Sequence, residues 1–165
     1  METKTASNRM LSLIVLYNMH TTFFSSVQDG ITDSDAHHRL NTKANHIAWL
    51  AGSIVQERFE IAKALGIERK PVADEWFKNN KGIVDDMVYP SLADFRRDWE
   101  AISPVLKEAL LNVKDEKLDE SFEMMPNMRM TYFDLITFIT YREANIIGQI
   151  ALWRRLLGYE AMKYM

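Results

Sequence analysis

The sequence predicts an all-α protein: a bundle of four long helices with a short extra helical segment between the second and the third. Three observations lead there. Apolar residues recur at intervals of three and four along four long stretches of the 165 residues, the spacing that gathers them on one helix face. No run alternates apolar and polar residues in the manner of a half-buried strand. Only 6 Gly and 4 Pro are present, too few for the tight turns an all-β fold needs.

In the first long helix the stripe is Met10, Leu13, Ile14, Tyr17, Thr21, Phe24 and Val27. It predicts a helix from about Ala6 to Asp29, closed by Gly30 in the left-handed conformation. Met10 to Tyr17 is nearly all apolar and follows Lys4 and Arg9, a faint likeness to a secretory leader. The run breaks at Asn18 and His20, lacks a small-residue cleavage site, and is far shorter than the ~20 apolar residues of a membrane span. It reads as a buried helix of a protein with no membrane association.

Ile31 to Asn41, polar and turn-prone, reads as a connection inside one domain covering residues 1–165. The second helix is predicted from Thr42, capped by Asn41 or Thr42, to the residue before Gly66. Its inward face is Ile47, Leu50, Ile54, Ile61 and Leu65, with Glu57, Arg58 and Lys63 assigned to the wet side. Ala73 to Lys78 is the short extra segment, ended by the turn-forming Asn79, Asn80 and Gly82. Ser91 caps the third helix with Asp94 in its first turn. The stripe Leu92, Phe95, Trp99, Ile102, Leu106, Ala109 and Val113 carries that helix through Pro104, where a kink is expected. Lys114 to Glu123 reads as one more turn, and Met124 to Met130 as a loop. Thr131 with Asp134 caps the fourth helix, which runs to Leu157 before Gly158. It is apolar on nearly every side, as suits the middle of a bundle.

Composition narrows function. Hydrophobic residues make up 47% and charged residues 26%, ordinary for a soluble globular chain. A net charge of −3, from 20 Lys+Arg and 23 Asp+Glu, excludes a nucleic-acid footprint. The absence of Cys excludes disulfides, thiolate nucleophiles and Cys-ligated zinc, and fits a reducing cytoplasm.

Three stretches carry a family resemblance: Arg39–Asn41 with Asn45–Val55, Tyr89–Leu92, and Tyr141–Gly158 with Ala161–Tyr164. Together they resemble the DinB/YfiT-like family of four-helix proteins, and the Gly148, Gln149, Ile150 … Arg154, Arg155, Leu156, Leu157, Gly158 ending is the most specific part. The resemblance implies a homodimer and, in the family norm, a divalent metal such as zinc or nickel held by three histidines. Two of those sit one turn apart, so that one helix face presents both. The matching positions here are Ser53, Tyr141 and Asn145. Neutral Ser and Asn oxygens are poor ligands for such metals, and a phenol must first lose a proton of pKa near 10. The resemblance therefore implies a degenerate metal site and no metal cofactor.

Three readings of Ser53, Tyr141 and Asn145 follow: a hydrogen-bonded polar cluster filling the old pocket, a pocket for a small-molecule ligand between the second and fourth helices, or a metal held despite the substitutions. His46, two turns before Ser53, is either a capping histidine or a surrogate ligand or base at the pocket mouth. His20 reads as a satisfied interior histidine, His37 and His38 as a loop pair, and Glu143 as an exposed partner of a nearby cation. Function divides accordingly. The first expectation is a non-catalytic small-molecule binding or interaction module. The alternative is a metal-dependent hydrolase or thiol S-transferase of the family's kind.

Overall fold

The computed structural model describes residues 4–164. The long helices are α1 (Met10–Val27), α3 (Ile47–Ala64), α5 (Leu92–Asn112) and α7 (Tyr132–Leu156). Between them lie the short α2 (Asp33–Ala36), α4 (Asp74–Phe77), a 3-10 turn (Lys78–Asn80) and α6 (Asp115–Asp119), then a hairpin of β1 (Ser121–Met125) and β2 (Met128–Thr131). The architecture is helical with one small antiparallel sheet.

Contacts along the helices fix their directions. Ala6 bonds Leu111, Tyr17 bonds Ser103 and Trp99 bonds Thr21, so α5 runs antiparallel to α1. Arg9 packs on Phe133, His20 meets Glu143 and Arg154 reaches Val27, so α7 runs parallel to α1. Gly52 packs on Phe95 and Arg58 bonds Ser103, which makes α3 parallel to α5. One core joins all four through Ile14, Phe24, Leu50, Ile54, Phe95, Trp99, Ile136 and Ile150.

The caps explain the boundaries. Ser91 with Asp94, and Thr131 with Asp134, form reciprocal capping boxes that satisfy first-turn amides. Gly66 and Gly158 take positive φ (86° and 89°), and each is followed by an amide bonded back to the helix, Ile67 to Ala62 and Tyr159 to Arg154. That is the Schellman closure a Cβ would hinder.

Several boundaries and faces differ from the sequence reading. The second long helix starts at Ile47, because Leu40 and Asn41 take left-handed backbone (φ 47° and 58°) and Arg39 ties down the carbonyls of Lys43 and Ala44. Neither Asn41 nor Thr42 caps it. α5 continues as one helix through Pro104. Residues 124–130 are not a loop: Pro126-Asn127, with Asn127 at φ 66°, makes the hairpin turn, and Phe122 stacks on Tyr132 at 5.0 Å. α7 is not sheathed on every side, since Phe138, Tyr141, Leu152 and Leu156 are exposed. Arg154, in the last turn of α7, is buried and donates to the carbonyls of Val27 (2.8 Å) and Asp29 (3.2 Å). A cation there meets the negative end of α1. By length and mean hydropathy α1 could cross a membrane, but Met10, Ile14, Tyr17, Phe24 and Val27 spend their apolar surface inside the bundle.

Candidate functional site

Two polar assemblies sit among the long helices, and their hydrogen bonding separates them. The first is a fully buried ion pair. Arg58 Nε and Nη2 donate to the two carboxylate oxygens of Glu143 at 2.6 and 3.0 Å. Arg58 Nη1 donates to Thr21 Oγ1 (2.9 Å) and Ser103 Oγ (2.6 Å), and His20 Nδ1 lies 3.1 Å from Glu143 Oε2. The guanidinium lies between the rings of Trp99 (3.4 Å) and Tyr17 (4.0 Å), a double cation–π contact. Burial alone would raise the Glu143 pKa, but the Arg58 charge and its hydrogen bonds override it and hold the carboxyl below its usual range. Burial pushes the Tyr17 phenol up to about 12, so it stays protonated and donates to the Ser103 carbonyl. Every long helix contributes, and both carboxylate oxygens and both guanidinium NH2 groups are engaged. Such a network fixes how the helices register and leaves little for a ligand. Glu143 is therefore paired with a cation but is not the exposed acid expected, and Arg58 is not on the wet side.

The second assembly is unsatisfied. A cleft of about 320 Å³ opens between α3 and α7, with the 3-10 turn and β1 at its rim. Ser53, Gln56, Glu57 and Glu60 line it from α3, since residues three and four apart share a face. Trp49, Phe77 and Phe138 supply apolar walls, and Arg142 projects from α7. Gly52 lets the wall exist: a Cβ there would collide with the Phe77 ring and come within 2.8 Å of Phe95. Arg142 Nε lies 2.6 Å from Glu57 Oε1, a close charge contact without hydrogen-bond alignment. Among the described residues six buried side-chain polar atoms make no hydrogen bond, and four belong to this cleft: Trp49 Nε1, Gln56 Oε1 and Glu57 Oε2 have no partner, and Arg142 Nε has only its ion contact with Glu57. Buried polar groups are ordinarily paired, so this concentration marks the site.

Charge at the cleft is off balance too. Burial pushes the Glu57 carboxyl up to about 7; Arg142 opposes the shift, while Glu60 and Glu143 add to it. Glu60 is also raised, chiefly by burial. A carboxyl held near neutrality in a cleft is a functional-site signature. It also has a consequence for stability. Between pH 4.5 and 7 the folded protein keeps a proton on Glu57 that the unfolded chain releases, so this contribution to stability is lost as pH rises through that window. Glu57→Gln should therefore stabilise the protein by about 1 kcal/mol at pH 8 and little at pH 4, as compared by thermal melts at the two pH values.

The positions matched to the family's metal ligands lie on two adjoining depressions. Ser53 Oγ donates to its own helix, at the Leu50 carbonyl (2.9 Å), and faces the cleft just described. Tyr141 and Asn145, with Gln149, line an adjoining depression that shares Trp49, Phe138 and Arg142 with the cleft. Tyr141 is 64% exposed, and Asn145 Oδ1 accepts from Gln149 Nε2 at 2.6 Å. No hydrogen bond joins Ser53, Tyr141 and Asn145 among the described residues, so the expected polar cluster is not formed. Their neutral oxygens are a poor donor set for a divalent metal. No group of three or more His, Asp or Glu able to hold one occurs among the described residues.

His46 is the N-cap of α3: its Nδ1 accepts from the Trp49 amide at 3.1 Å. It lies in a different depression, with the His37 ring at 5.2 Å and the Tyr89 ring at 5.3 Å, and is neither a surrogate ligand nor a base at the Ser53 cleft. Burial, then the nearby His37 charge, pushes its pKa down to about 4. The sign is fixed by that depression. The unfolded chain gains a proton near pH 6.5 that the folded one refuses, so the contribution is whole above 6.5 and is lost as pH falls toward 4. His46→Asn, which can cap without titrating, should flatten the loss of stability between pH 6.5 and 4.5 in urea denaturation.

The chain matches no family model and no curated protein.

Proposed function

We propose that the protein is a DinB/YfiT-like bundle that has given up the family's metal chemistry and binds a small molecule, without catalysis, in the cleft between α3 and α7. The observation that carries this reading is the set of unpartnered polar atoms on Trp49, Gln56 and Glu57 around one cleft, beside a second polar assembly in the same bundle whose groups are paired. A fold that satisfies one buried network and leaves the other open has a reason for the open one, and ligand binding is the ordinary reason. The family assignment is supported by the Gly148–Gly158 ending on a four-helix frame. None of the four histidines lines the cleft, and the Ser53 hydroxyl there donates to the Leu50 carbonyl rather than to Glu57 or Glu60. The reading therefore favours binding over hydrolysis or thiol transfer.

A homodimer and a cytoplasmic setting belong to the same proposal. Leu11, Val15, Leu16 and Met19 on α1, with Leu152 and Leu156 on α7, are the exposed apolar side chains a second copy would cover.

Elemental analysis of protein purified without a histidine tag tests the reading against its metalloenzyme alternative. Zinc, nickel and manganese should all be well below one ion per chain. One tightly held ion per chain would overturn it.

A further inference from the structure

The chemistry of the cleft specifies a ligand class, and this step rests on the cleft being the ligand site. We propose that the α3–α7 cleft selects a small organic cation: a protonated primary amine on a compact apolar or aromatic body.

Four features converge. Of the unmet groups on α3, Trp49 Nε1 is a donor and the other two are acceptors. Gln56 is 7% exposed, its Nε2 donates to Asp74 Oδ1 at 3.1 Å, and its Oε1 has no partner. Glu57 Oε2 is likewise unpartnered. An ammonium group brings three donors and no acceptor, the complement of those two oxygens.

Second, the cleft lining sets two carboxylates, Glu57 and Glu60, against two cations, Arg142 and Lys81, and Asp74 beside it tips the balance to negative. On α3 are Glu57 and Glu60, and Asp74 of α4 holds Gln56. From α7 come Arg142 and, behind it, Glu143, which is already committed to Arg58. Lys81, at the rim, donates to the Glu75 carbonyl at 2.8 Å. Glu60 makes no ion pair among the described residues. A cation can pair with Glu60 and offset that margin, whereas an anion would meet two carboxylates.

Third, Trp49, Phe77 and Phe138 present aromatic surface beside the carboxylates. Aromatic faces next to acids are the setting in which organic cations gain cation–π attraction. Finally, a volume of about 320 Å³ is at the small end for ligand sites, so the body is no larger than a few rings' worth of atoms.

The half-covered Arg142 side chain gives the entry step. At 32% exposure it can swing from Glu57 as the ammonium arrives, exchanging one cation for another that is better hydrogen-bonded. Because Glu57 titrates near neutrality when the cleft is empty, an arriving cation draws its carboxyl downward and binding releases a proton. Affinity for an amine therefore rises from pH 6 to pH 8 while the amine itself stays charged.

The test uses three isosteric probes on the full chain: benzylamine, benzyl alcohol and benzoate, titrated while following the Trp49 indole N–H resonance. Benzylamine should shift that resonance at a concentration at least tenfold lower than benzyl alcohol, and benzoate should leave it unmoved. Benzylamine affinity should rise severalfold between pH 6 and 8. In Glu57→Gln, checked for folding by its thermal melt, both the amine preference and the pH dependence should vanish. Equal or tighter binding of the alcohol or the acid at Trp49 would sink the cation proposal and leave the cleft as a ligand site. Failure of all three probes to shift Trp49 would sink both.

Discussion

Glu143→Ala should cost the fold about 3–5 kcal/mol, the penalty for leaving a buried charge without its partner. Arg58 has no exposed surface, and Glu143 supplies both oxygens for its Nε and Nη2. With the carboxylate gone, only Thr21 and Ser103 remain as acceptors, and two donors face the core between Trp99 and Tyr17. His20 loses its partner in the same change. Urea denaturation at pH 7 measures the effect. The companion variant separates charge from packing. Arg58→Met combined with Glu143→Leu removes both ions and keeps apolar volume, and paired removal of buried ions is often neutral or stabilising. The double variant should therefore recover most of the loss. If Glu143→Ala costs under about 1 kcal/mol, the ion pair is not the buried network described above.

Gly52→Ala should destabilise by about 2–3 kcal/mol, although Ala is the better helix former by about 1 kcal/mol. The added methyl meets the Phe77 ring and lies within 2.8 Å of the Phe95 ring. Phe95 is wholly buried and cannot retreat. Phe77 can move only toward the cleft it walls, so the variant should lose ligand affinity along with stability. A thermal melt reads the first effect, and the benzylamine titration the second. A neutral or stabilising result would show that the rings have free room, contrary to the packing seen.

Most of the helical frame was legible because its signals are local. Caps at Ser91 and Thr131, stop glycines at 66 and 158, and the Leu92–Val113 stripe each act within a turn or two. The hairpin was legible in principle. Pro126-Asn127 is the pair that suits a turn with Pro first and a left-handed residue second, and Phe122 and Met124 lie two apart; the short strands were masked by the methionine run. The start of α3 was not, because it depends on Arg39 reaching across five residues to hold the Ala44 carbonyl.

The polar site divides the same way. Arg58 sits four residues after Ile54 and three before Ile61, inside the apolar stripe of its helix, and Glu143 occupies the equivalent place between Ile139 and Ile146. Two opposite charges on two inward stripes were a readable signal for a buried pair, obscured by assigning charged residues to the wet side by type. The cleft was harder. Ser53 was singled out and does line it, but Tyr141 and Asn145 line the adjoining depression, which Arg142 shares. What makes Gln56 and Glu57 matter is a partner they lack, and no sequence pattern records a missing hydrogen bond.

Amide chemical-shift mapping tests the central claim most directly: ¹H–¹⁵N spectra of the full chain, recorded with and without a library of small amines and neutral analogues. The account predicts shifts gathered on Trp49 to Glu60, Phe77 to Lys81 and Phe138 to Arg142. Shifts centred instead on the His46 depression or on the Asn145–Gln149 face of α7, or none with any probe, would contradict it.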